Sequence, residues 1–115
     1  MRRIIKPWGY EELVEHNDRY VVKRLFMKKG HRCSLQYHRK KIETVMILKG
    51  KLELFYRGRM RHMRPFDAVT IRPGEKHRME ALNGDCMYLE CSTPELDDVV
   101  RLEDLYGRLQ KGKRR

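Results

Sequence analysis

Apolar and polar side chains alternate along most of this chain, the period-2 signature of half-buried strands. Tyr20–Met27 is rich in strand formers and stops at the turn Lys28-Lys29-Gly30. Cys33–His38 is short and strand-like, and Glu43–Lys49 is a largely apolar run bounded by Gly50. In Lys51–Tyr56, Leu52 and Leu54 fall on one face. Ala68–Ile71 runs into Arg72-Pro73-Gly74, His77–Leu82 into Asn83-Gly84-Asp85, and Cys86–Cys91 alternates again. Turn signals about every 8–12 residues predict an all-β sandwich or barrel. Only the end differs: Val99, Leu102 and Tyr106 recur at helical spacing. A short helical segment is therefore predicted over 97–108, capped by Asp97 or Asp98 and ended by Gly107. No repeat or linker interrupts the pattern, so residues 1–108 are expected to form one domain and 109–115 a basic tail.

With 115 residues and 40% apolar composition, only a small core is available, which argues for a compact sheet architecture and an oligomer, most simply a homodimer. No apolar run is long enough to span a membrane. The start of the chain, Met-Arg-Arg-Ile-Ile-Lys-Pro-Trp, carries no apolar stretch of the kind a signal peptide has, so a cytoplasmic location is expected. Cys33, Cys86 and Cys91 form no C-x-x-C motif and read as reduced packing residues, with Cys86 and Cys91 on opposite sides of one strand. The net charge of +11 invites a nucleic-acid reading, but four of those charges lie in the last five residues. The basic run Arg57–Arg64 has few aromatic residues to stack bases, so a small anionic ligand is the better expectation and no nucleic acid is predicted.

The candidate chemistry lies between two glycines. From Gly30 to Gly50 the polar landmarks read G-x5-Gln36-x-His38-x4-Glu43-x6-G. Gln36 and His38 share one face of a strand, and Glu43 opens the next strand after a turn. Arg72-Pro73-Gly74-Glu75-Lys76-His77 sets a second histidine just after a tight turn. Two imidazoles, a carboxylate and an amide oxygen form a donor set for a divalent cation with positions left open. Zinc leads among the candidates, with manganese, cobalt, iron and nickel as alternatives. His16, His31 and His62 stand outside any such pattern and read as structural or surface histidines.

These motifs resemble those of the cupin superfamily, whose first motif has the form G-x5-H-x-H-x3–4-E-x6-G and whose second is P-x-G-x2-H. Here Gln36 takes the first histidine position, Arg72 the proline, and Phe66 a glycine that usually precedes Asp67. A closer resemblance is to the type II mannose-6-phosphate isomerase domain that follows a mannose-1-phosphate guanylyltransferase in bifunctional enzymes. It rests on Lys6-Pro7-Trp8-Gly9-Tyr10-Glu11, Arg19–Arg24, Ser34-Leu35-Gln36-Tyr37-His38, Ile71–Glu80 and the block Asp97–Arg108. The resemblance implies a single-domain jelly-roll barrel and a metal-dependent isomerase that interconverts mannose 6-phosphate and fructose 6-phosphate through an enediol. Gln36, His38, Glu43 and His77 are then the expected metal ligands. With the guanylyltransferase half outside this chain, no nucleotide-sugar synthesis is predicted.

The chain departs from the family at one stretch. Where the family reads H-x-H-R-x-E-H-W, this sequence has His38-Arg39-Lys40-Lys41-Ile42-Glu43-Thr44-Val45. Lys40, two residues past His38, is expected to face the same cavity, where its charge would oppose a cation. Lys40 and Lys41 are the candidate catalytic residues, and a carboxylate not bound to metal or a metal-linked water are alternative bases. The phosphate is expected to meet Lys41, Lys23, Arg101 and Arg108. The alternative reading is a metal- or sugar-binding cupin without turnover or with another specificity, motivated by Lys40. An iron-dependent oxidising cupin rests only on the shared ligand motif.

Overall fold

The structure is a computed structural model, and it describes residues 2–104. Twelve strands make up the described chain: β1 (Arg2–Lys6), β2 (Gly9–His16), β3 (Val21–Met27), β4 (His31–Arg32), β5 (Leu35–Tyr37), β6 (Glu43–Gly50), β7 (Leu52–Tyr56), β8 (Arg59–Met63), β9 (Ala68–Ile71), β10 (His77–Ala81), β11 (Cys86–Ser92) and β12 (Val100–Glu103). They form two antiparallel sheets. The first has the order β1-β2-β3-β11-β6-β9, the second β12-β5-β10-β7-β8, with β4 beside β10. The chain crosses repeatedly between the sheets, as the jelly-roll expectation requires.

Alternation decides what faces inward. On β6, Glu43, Val45 and Ile47 are buried, while the residues between them are half-exposed. On β11, Cys86, Tyr88, Glu90 and Ser92 are buried in the same way. The inner faces are apolar at one end, where Leu25, Met27, Ile47, Leu52, Leu54 and Tyr88 pack together. At the other end the same strands continue inward with Lys23, Glu43 and Glu90. The core and the charged cavity are thus two halves of one interior. Trp8 belongs to this core at 4% exposure, so the N-terminal hairpin is fastened to the barrel by a large buried ring.

Gly50 closes the first motif with φ +84, and a Cβ there would meet the Asp85 carbonyl oxygen at 2.2 Å, so only glycine fits this turn. Phe66, at a position where the motif expects glycine, adopts φ 74. The turn persists because Phe66 N–H donates to the Ile47 carbonyl, Ile47 N–H to the Asp67 carbonyl, and Arg64 N–H to the Asp67 carboxylate. Its left-handed backbone costs a non-glycine residue about 1–2 kcal/mol.

The C-terminal expectation is corrected. Within 97–104 the chain is not helical: β12 pairs antiparallel with β5, Val100 opposite Tyr37 and Arg101 opposite Gln36. Adjacent β-branched Val99 and Val100 suit an extended backbone, and β5 offers an open edge. Arg78, buried on β10, secures the addition by donating from Nε to the Cys33 carbonyl and from Nη2 to the Glu103 carbonyl. The remainder of the predicted helix, the tail 109–115 and Arg108 lie outside the described residues. Strands β1, β2 and β8 are additions, because their charged sequences hide the alternation. Cys33 and Cys86 are buried and Cys91 is exposed, so the two on β11 do face opposite sides.

Candidate functional site

Three elements converge on Glu43. His38 ends the segment after β5, Glu43 begins β6, and His77 begins β10. The His38 Nε2 lies 3.4 Å from Glu43 Oε1, and the His77 Nε2 lies 3.6 Å from Glu43 Oε2. One ligand atom from each of the three residues falls within 4.8 Å of the others. All three side chains are almost wholly buried, His77 completely.

Backbone carbonyls set the histidine tautomers. The His38 Nδ1 donates to the Asp98 carbonyl at 2.5 Å, and the His77 Nδ1 donates to the Glu75 carbonyl at 2.9 Å. A carbonyl only accepts, so each Nδ1 carries the proton and each neutral ring keeps its lone pair on Nε2. Both Nε2 atoms are buried without a hydrogen-bond partner. Two imidazole lone pairs and a carboxylate facing one another are the donor chemistry of a divalent-cation site. The residues present therefore fit the metal ion that the motif spacing predicts.

The two motifs also brace each other. Gly74 N–H donates to the His38 carbonyl. In the same turn, Glu75 accepts from Arg72 N–H and from the Tyr56 hydroxyl through Oε1. Asp98, a candidate helix cap by sequence, has another task here. Its carboxylate accepts three backbone N–H groups in a row, from Arg39, Lys40 and Lys41, at 3.0, 2.7 and 2.9 Å. Asp98 thus holds the loop that carries His38 through its side chain and the His38 ring through its carbonyl.

A cavity opens beside the triad, lined by Gln36, His38, Lys41, Glu43, Glu90 and Arg101, and further out by Lys6, Glu11 and Lys23. Gln36 stands opposite His77 in the β5–β10 ladder and accepts from the Ser34 hydroxyl. Lys41 is buried, with Nζ 3.3 Å from Glu43 and 3.8 Å from Glu90. Burial opposes its charge, but Glu90 and Glu43 hold its pKa above the ordinary lysine value. That favours its charged form. Lys23 and Lys6 flank Glu11 at 3.2 and 3.8 Å. Burial lowers the pKa of His77 despite Glu43 beside it, favouring the neutral ring a metal needs. Burial would raise the pKa of Glu43, but the Lys41 ammonium beside it favours the ionised carboxylate, and its pKa stays below the ordinary value.

Lys40 is corrected: it is exposed and does not face the cavity. Strand spacing fails past His38 because Asp98 bends the backbone at residues 39–41. The concern that a Lys40 charge beside the cation would weaken its binding falls away with that position. Lys6, Glu11, Glu90 and Asp98 were missed. The signals available were the inward alternation of β2 and β11 and the Asp-Asp pair at 97–98.

The sequence profile of the family described as Mannose-6-phosphate isomerase C-terminal matches residues 1–104. The mannose-1-phosphate guanylyltransferase ManC of Salmonella typhimurium is 30% identical over 94% of this chain, which spans only 23% of that protein. Xanthan biosynthesis protein XanB of Xanthomonas campestris is 29% identical over 93% of this chain, which again covers 24% of the relative. Among solved structures, KdgF from Halomonas sp. superposes with a TM-score of 0.77 at 18% identity, covering 84% of this chain and 89% of that one. A cupin-superfamily sugar phosphate isomerase from Silicibacter pomeroyi gives 0.59 at 24% identity over 65% of this chain and 50% of its own. At such identities the structures establish the cupin fold, and the profile match over most of the chain establishes the rest: the protein belongs to the mannose-6-phosphate isomerase C-terminal family.

Proposed function

We propose that this chain is a metal-dependent isomerase interconverting mannose 6-phosphate and fructose 6-phosphate through an enediol. The observation that carries the reading is a His38–Glu43–His77 donor set beside a cavity lined by the buried Lys41 ammonium. His38, Glu43 and His77, with Gln36 beside them, would hold the ion, zinc being the first choice. A divalent ion there would polarise the sugar oxygens and offset the negative charge that develops on them.

The chain's own side chains do the rest. Lys23 and Arg101 line the cavity where a phosphate would enter, and each offers charge-assisted hydrogen bonds to it. Lys41 places a permanent positive charge against the reacting end of the sugar. In the isomerisation, hydrogen passes from C2 to C1 and from O2 to O1, with no outside oxidant or reductant.

The test is direct. The purified protein, loaded in turn with zinc, manganese or cobalt, is assayed for fructose 6-phosphate made from mannose 6-phosphate. Turnover with at least one metal is expected. Bound metal without any turnover would refute the isomerase reading and leave a binding protein.

A further inference from the structure

The isomerisation needs one group that takes a proton from C2 and returns it to C1. The cavity narrows the choice. His38, Glu43 and His77 direct their lone pairs at one another and are committed to the cation. Both oxygens of Glu11 are engaged, one by Lys23 and one by Lys6. Lys41 is held as a cation between two carboxylates. Lys40 lies outside.

Glu90 is different. It projects inward from β11 in the same alternation as Tyr88 and lines the cavity with its side chain only 10% exposed. Its ion pair with Lys41, at 3.8 Å through Oε2, is the longer of the two that Lys41 makes. The Lys41 ammonium therefore stands between the metal-facing carboxylate and Glu90, and can steady negative charge on either side of the reacting carbons.

We infer that Glu90 is the residue that carries the proton between C2 and C1, with Lys41 as its electrostatic partner, an assignment resting on the isomerase reading above. The ionised Glu90 carboxylate takes the C2 proton. The C2–H pair becomes the C1=C2 bond, and the carbonyl π pair moves onto O1, which takes up the proton that O2 gives. The electron pair left on O2 then forms C2=O, and the C1=C2 pair takes the proton back from Glu90 at C1. The carboxyl ends as it began, and the sugar's atoms and electrons balance. The environment of Glu90 suits the task. Burial and the nearby Glu43 raise its pKa to about 7, with Glu11 acting the same way and Lys41 and Lys23 opposing. A base poised near neutrality both accepts and returns a proton readily.

A purely structural Glu90 would be an ion-pair partner for Lys41 and nothing more. The experiment separates the two. In zinc-loaded protein, Glu90→Gln is expected to lower kcat by about 10²–10⁴-fold, with KM and bound zinc unchanged. In wild-type protein, activity should fall as the pH drops through the titration of Glu90, and the Glu90→Gln variant should lose that acid limb. Retained kcat in Glu90→Gln, or loss of zinc together with activity, would overturn the assignment. If Glu90→Gln fails to fold, Glu90→Asp decides. It keeps a carboxylate one methylene too short, so kcat should drop with the acid limb preserved, and wild-type kcat in this variant would overturn the assignment. A wild-type protein without turnover on any metal refutes the isomerase reading itself, whereas an active wild type with an active Glu90→Gln refutes only the role of Glu90.

Discussion

The two walls of the cavity are built differently. On one, His38, Glu43 and His77 are aimed by backbone carbonyls, tight turns and the Asp98 clamp, so their donor atoms have almost no freedom. On the other, Lys23 pairs with Glu11 at 3.2 Å and Lys41 with Glu90 at 3.8 Å, side chain against side chain, and Lys41 also reaches across to Glu43 at 3.3 Å. Backbone anchoring suits a cation that demands fixed ligand geometry. Mutual pairing suits a substrate that arrives with its own charge, because long side chains can exchange one partner for another. Under the proposed function, the first wall would take the ion and the second the anionic sugar.

Removing a ligand from the anchored wall should have the largest effect. His77→Ala takes away one of three converging donors, and elemental analysis should find retained zinc reduced to background. Wild-type metal content in that variant would show that the ligand set is wrong. Next comes the support behind the wall. Asp98→Ala strips three N–H groups of their acceptor and frees the loop that carries His38, so zinc affinity by calorimetric titration should fall about 10–100-fold. Asp98→Asn keeps one acceptor oxygen and should lose less. The smallest effect belongs to the paired wall. Lys23→Ala should raise KM for the sugar phosphate about tenfold, the value of one charged hydrogen bond, while zinc content stays constant. A loss of zinc in Lys23→Ala would erase the distinction between the walls.

Much of the anchored wall was legible in the sequence, because its residues sit at fixed offsets in turn-bounded motifs. His38, Glu43 and His77 follow from spacing and residue chemistry alone, and β6, β9 and β11 match the alternation to within a residue or so. The paired wall was hidden, since it depends on long-range register. Glu90 meets Lys23 across the β3–β11 ladder, and no local pattern states which strands will be neighbours. Lys40 was misplaced for a related reason: period-2 spacing was carried past His38, whereas a carboxylate 58 residues away takes the Lys40 amide and turns the chain. Three apolar positions in the C-terminal segment, Val99, Leu102 and Tyr106, match helical spacing. The segment's extended form depends on the open edge of β5 and on Arg78, both of them tertiary features.

Loading the protein with metal in steps, and measuring in the same samples bound metal and fructose 6-phosphate formed from mannose 6-phosphate, tests the central claim most directly. The account predicts activity that rises in proportion to bound metal and levels off at one ion per chain. Saturation at one ion per chain with mannose 6-phosphate left unconverted would contradict it.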